Sequence, residues 1–212
     1  MSSSDTIHLG DCLDILPGVE DNSVDLILTD PPYLVGYQSR DGRSVPNDDN
    51  DAWLMPAFEQ MHRVLKPGRF AISFYGWPRA DQFLTAFRAA GFRVVGHLVF
   101  TKGYASATKM LRYEHECAYL LAKGYPRTPR NPISDVLPWR FSGNKLHPTE
   151  KPLSVLRPLV RAFSYPGELV LDPFAGSGST LLVAQQQRRR YLGIELDPGY
   201  HATASKRLES AA

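Results

Sequence analysis

Cysteine is scarce in this sequence, with only Cys12 and Cys117 among 212 residues. The two lie far apart and have no partners at metal-ligand spacing, so neither a disulfide framework nor a metal site is expected. No apolar run is long enough to span a bilayer, and the short polar start, Met1 to Asp5, lacks the features of a secretory signal. These absences favour a cytoplasmic protein without a membrane segment.

A strong charge of either sign is also lacking. Lysines and arginines number 24 and aspartates and glutamates 22, which gives a formal net charge of +2. Any binding to nucleic acid must therefore depend on local basic patches. Internal repeats and low-complexity tracts are absent, and a hydrophobic content of 43% suffices for the core of one α/β domain over residues 1–212.

The most informative stretch follows a run of apolar residues, Val24 to Leu28, that predicts a short buried strand. Asp30-Pro31-Pro32-Tyr33 comes directly after this strand, and its two prolines fix the backbone and remove two N–H donors. The rigid corner presents a carboxylate, a carbonyl and an aromatic ring. These groups suit a flat heterocycle that carries an exocyclic amine. The ring would stack on Tyr33, while Asp30 and the Pro31 carbonyl would accept the two amine hydrogens.

A second motif lies far along the chain, where a predicted strand ends at Asp172 and a glycine-bearing turn leads into a helix. Gly176 and Gly178 would let a ligand approach the backbone, and the start of the helix favours an anionic group. The next predicted strand ends at Glu195, whose carboxylate is placed to accept both hydroxyls of a ribose. This arrangement predicts a nucleotide-binding turn.

Two common nucleotide sites do not fit this turn. A phosphate-binding loop requires lysine after the last glycine, and Ser179 stands there instead. A dinucleotide-binding turn requires a third glycine at the position of Leu181. A ligand with ribose and adenine but no pyrophosphate is left, and S-adenosylmethionine fits. Its carboxylate would contact the turn near Thr180, and its ammonium would contact Asp172 or Asp30. Its adenine would stack on Phe174.

The remaining chain alternates predicted helices and strands, which is typical of a doubly wound α/β sheet. Gly10-Asp11 follows the first strand, and Asp11 is open to two interpretations, a helix cap or an acceptor for the amine of a nucleotide. The apolar residues of 34–51 follow neither the helical nor the strand period, which predicts a mobile loop beside the corner at Asp30. Residues 102–145 are basic, aromatic and irregular, and we interpret them as a target-recognition segment.

Basic residues of the loop and of the segment are candidates for contacts with phosphate groups: Arg40, Arg43, Lys102, Lys109, Arg112, Arg127, Arg130 and Arg140.

Taken together, these motifs resemble the β-class amino-methyltransferases of DNA, the adenine-N6 and cytosine-N4 enzymes. Members of that family carry a catalytic Asp/Ser-Pro-Pro-Tyr/Trp motif first, a recognition region in the middle and an Asp-Pro-Phe-x-Gly-Ser-Gly-Thr cofactor motif last. The resemblance covers nearly the whole chain and departs from the family in Ser179 before Thr180 and in a short recognition segment. It implies a Rossmann-like class I methyltransferase sheet with circularly permuted motif order and a small basic recognition insertion. The strand ending at Asp172 should then lie beside the strand ending at Asp30.

The resemblance also implies roles for particular residues. The implied catalytic set is Asp30, Pro31, Pro32 and Tyr33. The implied set for S-adenosylmethionine is Asp11, Cys12, Asp30, Lys151, Asp172, Phe174, Gly176, Ser177, Gly178, Thr180 and Glu195, with Lys151 near the carboxylate of the cofactor. Double-stranded DNA is the implied substrate and a homodimer is the implied assembly, while the sequence leaves open whether a restriction endonuclease accompanies the protein.

Aspartate at position 30 favours adenine as the target, by a tendency of the family. Cytosine-N4 methylation, methylation of RNA or of a protein amine, and a module that binds cofactor and nucleic acid without turnover are the alternatives. Methylation of carbon 5 of cytosine does not fit, because that chemistry needs a cysteine after a proline. Asp11 precedes Cys12, and Glu116 precedes Cys117.

Overall fold

The computed structural model describes residues 5–36, 46–107, 110–129, 131–140 and 150–211. The strands are β1 (Thr6–Leu9), β2 (Val24–Thr29), β3 (Leu65–Tyr75), β4 (Arg93–Lys102), β5 (His115–Ala122), β6 (Val136–Trp139), β7 (Leu169–Asp172) and β8 (Arg190–Glu195). The helices are α1 (Cys12–Ile15), α2 (Leu54–Val64), α3 (Ala80–Ala89), α4 (Leu153–Phe163), α5 (Ser179–Gln186) and α6 (Pro198–Glu209). Among these residues, none of the helices could cross a membrane, and no group of side chains could hold a metal ion.

All eight strands form one sheet in the order β1-β8-β7-β2-β3-β5-β4-β6. The pairs from β1 to β3 are parallel, so the carboxyl ends of β2, β7 and β8 lie at one edge. Because β2 pairs directly with β7, the strands that precede the two motifs are neighbours although they are far apart in sequence. The expected α/β methyltransferase-like sheet with permuted motif order is confirmed.

Apolar side chains cover both faces of the sheet. One layer includes Phe58 and Met61 of α2 with Phe83 of α3, and the other includes Leu159 of α4 with Leu181 of α5. Every residue of β2 is buried, and from Leu26 to Leu28 its side chains alternate between these two layers. This double burial explains the continuous apolar run that predicted the strand, and it holds the corner that follows β2 in a fixed place.

The interpretation of residues 102–145 as an insertion needs correction. Strand β5 lies inside the sheet, antiparallel to both β3 and β4, and β6 pairs with β4 as an edge strand. Ala118 and Leu121 of β5 are fully buried. The basic and aromatic residues around β5 hid this strand from sequence reasoning, because its apolar run is short. The sheet is consequently mixed, with its antiparallel strands on the β3 side.

An ionic cluster joins the three central strands at the end opposite the two motifs. The carboxylate of Asp25 in β2 is 6% exposed and lies 2.7 Å from Lys66 Nζ and 3.2 Å from Arg69 Nη2, both in β3. Its other oxygen accepts the Leu169 N–H of β7 at 3.0 Å. Arg69 also pairs with Glu168. One buried carboxylate therefore connects β2 to both of its neighbours.

We expect Asp25→Ala to lower the free energy of unfolding by about 2–3 kcal/mol, because it leaves a strand N–H and two cations without their shared acceptor. Asp25→Asn should cost less, since its amide oxygen still accepts from Leu169. Urea denaturation followed by circular dichroism measures both changes, with the exposed Glu59→Ala as the control. Equal stability of Asp25→Ala and Glu59→Ala would show that the cluster has no net effect.

Candidate active site

A deep cleft opens at the carboxyl ends of β1, β2, β7 and β8, with about 1140 Å³ of empty space including its open mouth. The predicted catalytic residues Asp30 to Tyr33 all line it. The predicted cofactor residues line it as well, with the exception of Gly178. The hydroxyl of Thr29 donates to Asp172 Oδ1 at 2.9 Å and thereby joins the two motifs directly. The parallel β2–β7 pair thus brings both motifs into one site.

The glycine turn has the backbone geometry that its sequence predicts. Gly176 and Gly178 have φ values of 52° and 78°, in the left-handed region that favours glycine. Gly178 is the N-cap of α5, and a β-carbon there would lie 3.0 Å from that of Ala204 in α6. Gly178 therefore serves the packing of α5 against α6 and lies behind the cleft lining.

Glu195 fixes the position of this turn. Its Oε2 accepts the Gly176 N–H at 2.7 Å, and its Oε1 accepts the Asp197 N–H at 2.8 Å. Burial raises the pKa of Glu195, against the lowering effect of these backbone donors. The carboxylate has further lone pairs and lines the cleft. A contact with ribose hydroxyls stays a prediction.

Asp172 is the most deeply buried acid of the site, with 2% of its surface exposed. Its carboxylate accepts from the hydroxyls of Thr29 and Thr180 and from the Phe174 N–H. Burial nevertheless raises its pKa to about 7. The site therefore holds an acid that ionises near neutral pH, and a cationic ligand would favour its charged form.

Asp30 has a partner on each oxygen. The hydroxyl of Tyr33 donates to Oδ1 at 2.7 Å, and Lys151 Nζ lies 2.5 Å from Oδ2. Burial raises the pKa of Asp30, and the neighbouring Lys151 ammonium opposes that rise. Burial and the Asp30 charge together raise the pKa of Tyr33 well above its ordinary value. Tyr33 is therefore a neutral hydrogen-bond donor.

Lys151 is on the Asp30 side of the cleft. The resemblance implied a place near the carboxylate of the cofactor, but here the ammonium binds Asp30 and is surrounded by aromatic rings. Lys151 Nζ lies 5.3 Å from the ring centre of Tyr33, 5.0 Å from that of Phe74 and 5.9 Å from that of Trp139. These rings suit a buried cation.

The position of Asp11, at the edge of the cleft beside Gly10, is compatible with both interpretations of this residue. Asp11 caps α1, accepting the Leu13 N–H at 2.8 Å, and it also lines the cleft. Burial raises the pKa of the adjacent Cys12 to about 12, so its thiol stays protonated and is no nucleophile at neutral pH. The cap is confirmed, and the contact with the cofactor stays a prediction.

The described ends of the predicted loop are held together by one residue, Asp48. Its buried side-chain carboxylate accepts the Leu34 N–H at 2.7 Å, and its backbone carbonyl accepts the Gly36 N–H at 3.0 Å. Trp53 Nε1 donates to Asn47 O at 3.0 Å, and the Trp53 ring meets Phe174 edge to face at 5.0 Å. Mobility of residues 34–51 stays a prediction, and residues 37–45 lie outside the described residues.

Sequence reasoning missed several residues of the cleft. The buried Glu150 is one, since it pairs with Arg207 of α6 at 3.0 Å and accepts from the Ser179 hydroxyl at 3.4 Å. Its neighbour Lys151 was the available signal. The other residues of the lining that were missed are Gly10, Val35, Pro46, Asn47, Asp48, Trp53, Pro173, Ala175, Ser179, Leu196 and Tyr200. Gly10, Pro173, Ala175, Ser179 and Leu196 lie within or beside the predicted motifs, whereas the others come from separate elements and have no such signature.

The predicted DNA-binding residues fall into three groups. Arg112, Arg127 and Arg140 are exposed, and Arg112 pairs with Glu114 at 2.7 Å. Arg40, Arg43, Lys109 and Arg130 lie outside the described residues.

Lys102 forms the third group, and its contact with a phosphate group stays a prediction. Its side chain is 5% exposed and pairs with Glu116 at 2.5 Å. An ammonium so enclosed is a poor candidate for contact with a phosphate group.

Known proteins resemble this chain in sequence and in fold. A family model for DNA methylases of the N6/N4 type matches residues 24–206. YubD of Escherichia coli (strain K12), provisionally named a methylase, is 54% identical over 94% of this chain and 88% of its own length.

Two solved structures share the fold. TTHA0409 of Thermus thermophilus, provisionally named a DNA modification methylase and crystallised with S-adenosyl-L-methionine, is 26% identical with a TM-score of 0.76, covering 98% of this chain and 94% of its own. The cytosine-N4-specific PvuII DNA methyltransferase has the same fold at 18% identity and a TM-score of 0.79, covering 98% and 87%.

Proposed function

Because the chain belongs to the family of N6/N4 DNA methylases, we propose that it transfers a methyl group to the N6 amine of a flipped adenine in DNA. One observation carries the proposal, the opening of the Asp30–Tyr33 corner and of the glycine turn into one cleft. An acceptor for an amine and a turn for a nucleoside ligand are thereby held side by side.

The cofactor of this family is S-adenosylmethionine, and the lining of the cleft fits it. Six acidic residues line the cleft, Asp11, Asp30, Asp48, Glu150, Asp172 and Glu195, and their negative charge suits a ligand with a cationic sulfonium and an ammonium. The Phe174 ring offers an apolar face for adenine. When bound, S-adenosylmethionine supplies an electrophilic methyl group. We infer that Glu195 and Asp11 hold its nucleoside, and that Asp172 holds its ammonium.

The chemistry required of the protein is the activation of a weak nucleophile. The lone pair of an exocyclic amine is delocalised into the ring of the base. Asp30 and the carbonyl of Pro31, as acceptors for the two amine hydrogens, would localise that pair on nitrogen and aim it along one direction. The nitrogen pair forms the new N–C bond, the S–C electrons stay on sulfur, and one amine proton leaves towards the ionised Asp30 carboxylate.

A base inside a duplex cannot reach this corner, so the target must leave the helix at a cost of about a few kcal/mol. Stacking of the flipped base on the Tyr33 ring would offset part of that cost. The exposed Arg140, which follows β6 at the same end of the sheet as the cleft, is a candidate for contact with a phosphate group of the DNA strand. A homodimer, which the family resemblance suggests, would extend this surface, and light scattering of the purified protein tests it.

Adenine rather than cytosine is the finer part of the proposal, and it depends on aspartate at position 30. Mass spectrometry of nucleosides from DNA of cells that express the protein tests it. We expect N6-methyladenine with the wild-type protein and far less of it with Asp30→Asn. N4-methylcytosine would instead keep the mechanism and change the base, as in the enzyme from the PvuII system. If the protein is folded and binds S-adenosylmethionine but yields neither product, the proposal of DNA amine methylation is contradicted.

A further inference from the structure

We propose that Lys151 is a positioning residue for the transfer, which holds the Asp30 carboxylate ionised and oriented so that it can accept a hydrogen of the target amine. The inference rests on the proposed function. It differs from the place near the carboxylate of the cofactor that the family resemblance implied for this lysine.

The first support is the geometry of the pair. Lys151 Nζ lies 2.5 Å from Asp30 Oδ2, and the lysine side chain is 7% exposed. The two residues are 121 positions apart in sequence, one after β2 and the other just before α4. Charge-assisted contacts of this length are strong and directional. The pair therefore fixes which carboxylate oxygen faces the lysine.

The second support is the surroundings of the ammonium. The three aromatic rings around it can stabilise a cation but accept no strong hydrogen bond. Among the described residues, Asp30 is the one acid at salt-bridge distance from Lys151. A buried ammonium with a single acid partner is held to that partner, since leaving it unpaired is costly.

The third support is that the other surroundings of Asp30 disfavour its ionised form. Burial and the charge of Glu116 on β5 both raise the pKa of Asp30, while Lys151 and the hydroxyl of Tyr33 lower it. Asp172 on β7 is a further acid close enough to repel Asp30. The nearby Lys102 is engaged by Glu116. Lys151 is thus the cation that binds Asp30 itself.

The ionisation state of Asp30 decides how well it can accept a hydrogen bond from the target amine. A protonated carboxyl presents an O–H donor and loses acceptor capacity, whereas the carboxylate accepts at both oxygens. With Lys151 on Oδ2, the remaining lone pair of Oδ1, beside the Tyr33 hydroxyl, is available to the amine. Loss of the ammonium should therefore weaken both the orientation and the charge of Asp30.

The test compares Lys151→Met with Lys151→Arg, first by the pH dependence of single-turnover methyl transfer to unmethylated DNA. The acidic limb of the wild-type profile, measured with saturating S-adenosylmethionine, reports ionisation of Asp30 and of Asp172, and Lys151 contacts the first of these. In Lys151→Met we expect this limb to shift to higher pH by about one unit or more, and the transfer rate near neutral pH to fall by about tenfold or more. Lys151→Arg keeps the charge and should keep the limb close to that of the wild type.

Two readouts independent of turnover separate this role from others. Calorimetric titration with S-adenosylmethionine should give nearly unchanged affinity for Lys151→Met. An affinity loss with an unmoved pH limb would overturn the proposal in favour of a contact with the cofactor. Thermal unfolding of Lys151→Met, Asp30→Asn and the double variant should show that the two losses are not additive, and additive losses would contradict a direct pair.

Failure of this inference can be told apart from failure of the proposed function. If the wild-type protein methylates no DNA, the proposed function fails. If the wild type is active and Lys151→Met keeps both its rate and its acidic limb, only the role of Lys151 fails.

Discussion

Replacement of Asp30 by asparagine is expected to lower methyl transfer to DNA by about 10²- to 10³-fold, while the protein stays folded and still binds S-adenosylmethionine. The amide oxygen can still accept one hydrogen bond, but it carries no full charge and cannot take up the amine proton. Single-turnover transfer of a radiolabelled methyl group measures the loss. A rate within about threefold of the wild type would remove Asp30 from the chemistry.

Asparagine is a better test than alanine because of the pair that Asp30 forms. Asp30→Ala would leave the buried Lys151 ammonium and the Tyr33 hydroxyl without their acceptor. We expect it to lower the free energy of unfolding by about 2–4 kcal/mol. The double variant with Lys151→Met should recover part of that loss, since no cation is then left unpaired. An inactive Asp30→Ala protein alone would therefore not separate loss of chemistry from loss of folding.

The second large effect concerns Asp172, for which asparagine is expected to stabilise the protein at alkaline pH. The buried acid has a pKa of about 7, above its ordinary value near 4. Between these values the native protein holds a proton at this position that the unfolded chain has lost. Stability therefore falls as pH rises through this window, by on the order of 2–4 kcal/mol from this group alone.

In the Asp172→Asn variant the side chain cannot ionise, yet its amide oxygen would still accept from Thr29 and from the Phe174 N–H. The melting temperature of Asp172→Asn should exceed that of the wild type at about pH 8 and approach it near pH 5. The exposed Asp81→Asn is the control, with no such dependence expected. A destabilised Asp172→Asn at about pH 8 would show that the charge is already compensated in the fold.

The same substitution should weaken the binding of S-adenosylmethionine by about tenfold or more, because one negative charge facing a cationic ligand is removed. Isothermal titration calorimetry measures this loss. A more stable protein that binds its cofactor less well would show that the site keeps a buried carboxylate for function at the expense of stability. Unchanged affinity would place the ammonium of the cofactor elsewhere.

The sequence determined those features that depend on neighbouring residues. The fully apolar β2, the rigid corner of Pro31 and Pro32, and the turn that needs glycine at positions 176 and 178 all follow from local chemistry. The permuted sheet, by contrast, was implied by the family resemblance that the motifs and their order carry. The family resemblance predicted the cofactor on the same motifs.

Only the tertiary structure decided which side chains meet across the sheet. It placed β5 inside the sheet, where flanking basic and aromatic residues had suggested an irregular insertion. It turned Lys102 towards Glu116 and Lys151 towards Asp30, which gives each enclosed ammonium a partly exposed acid as its partner. Side-chain direction and burial depend on packing between distant segments, so no local pattern records them. For this reason the sequence predicted the reaction class, while the ionic contacts that tune Asp30 came from the fold.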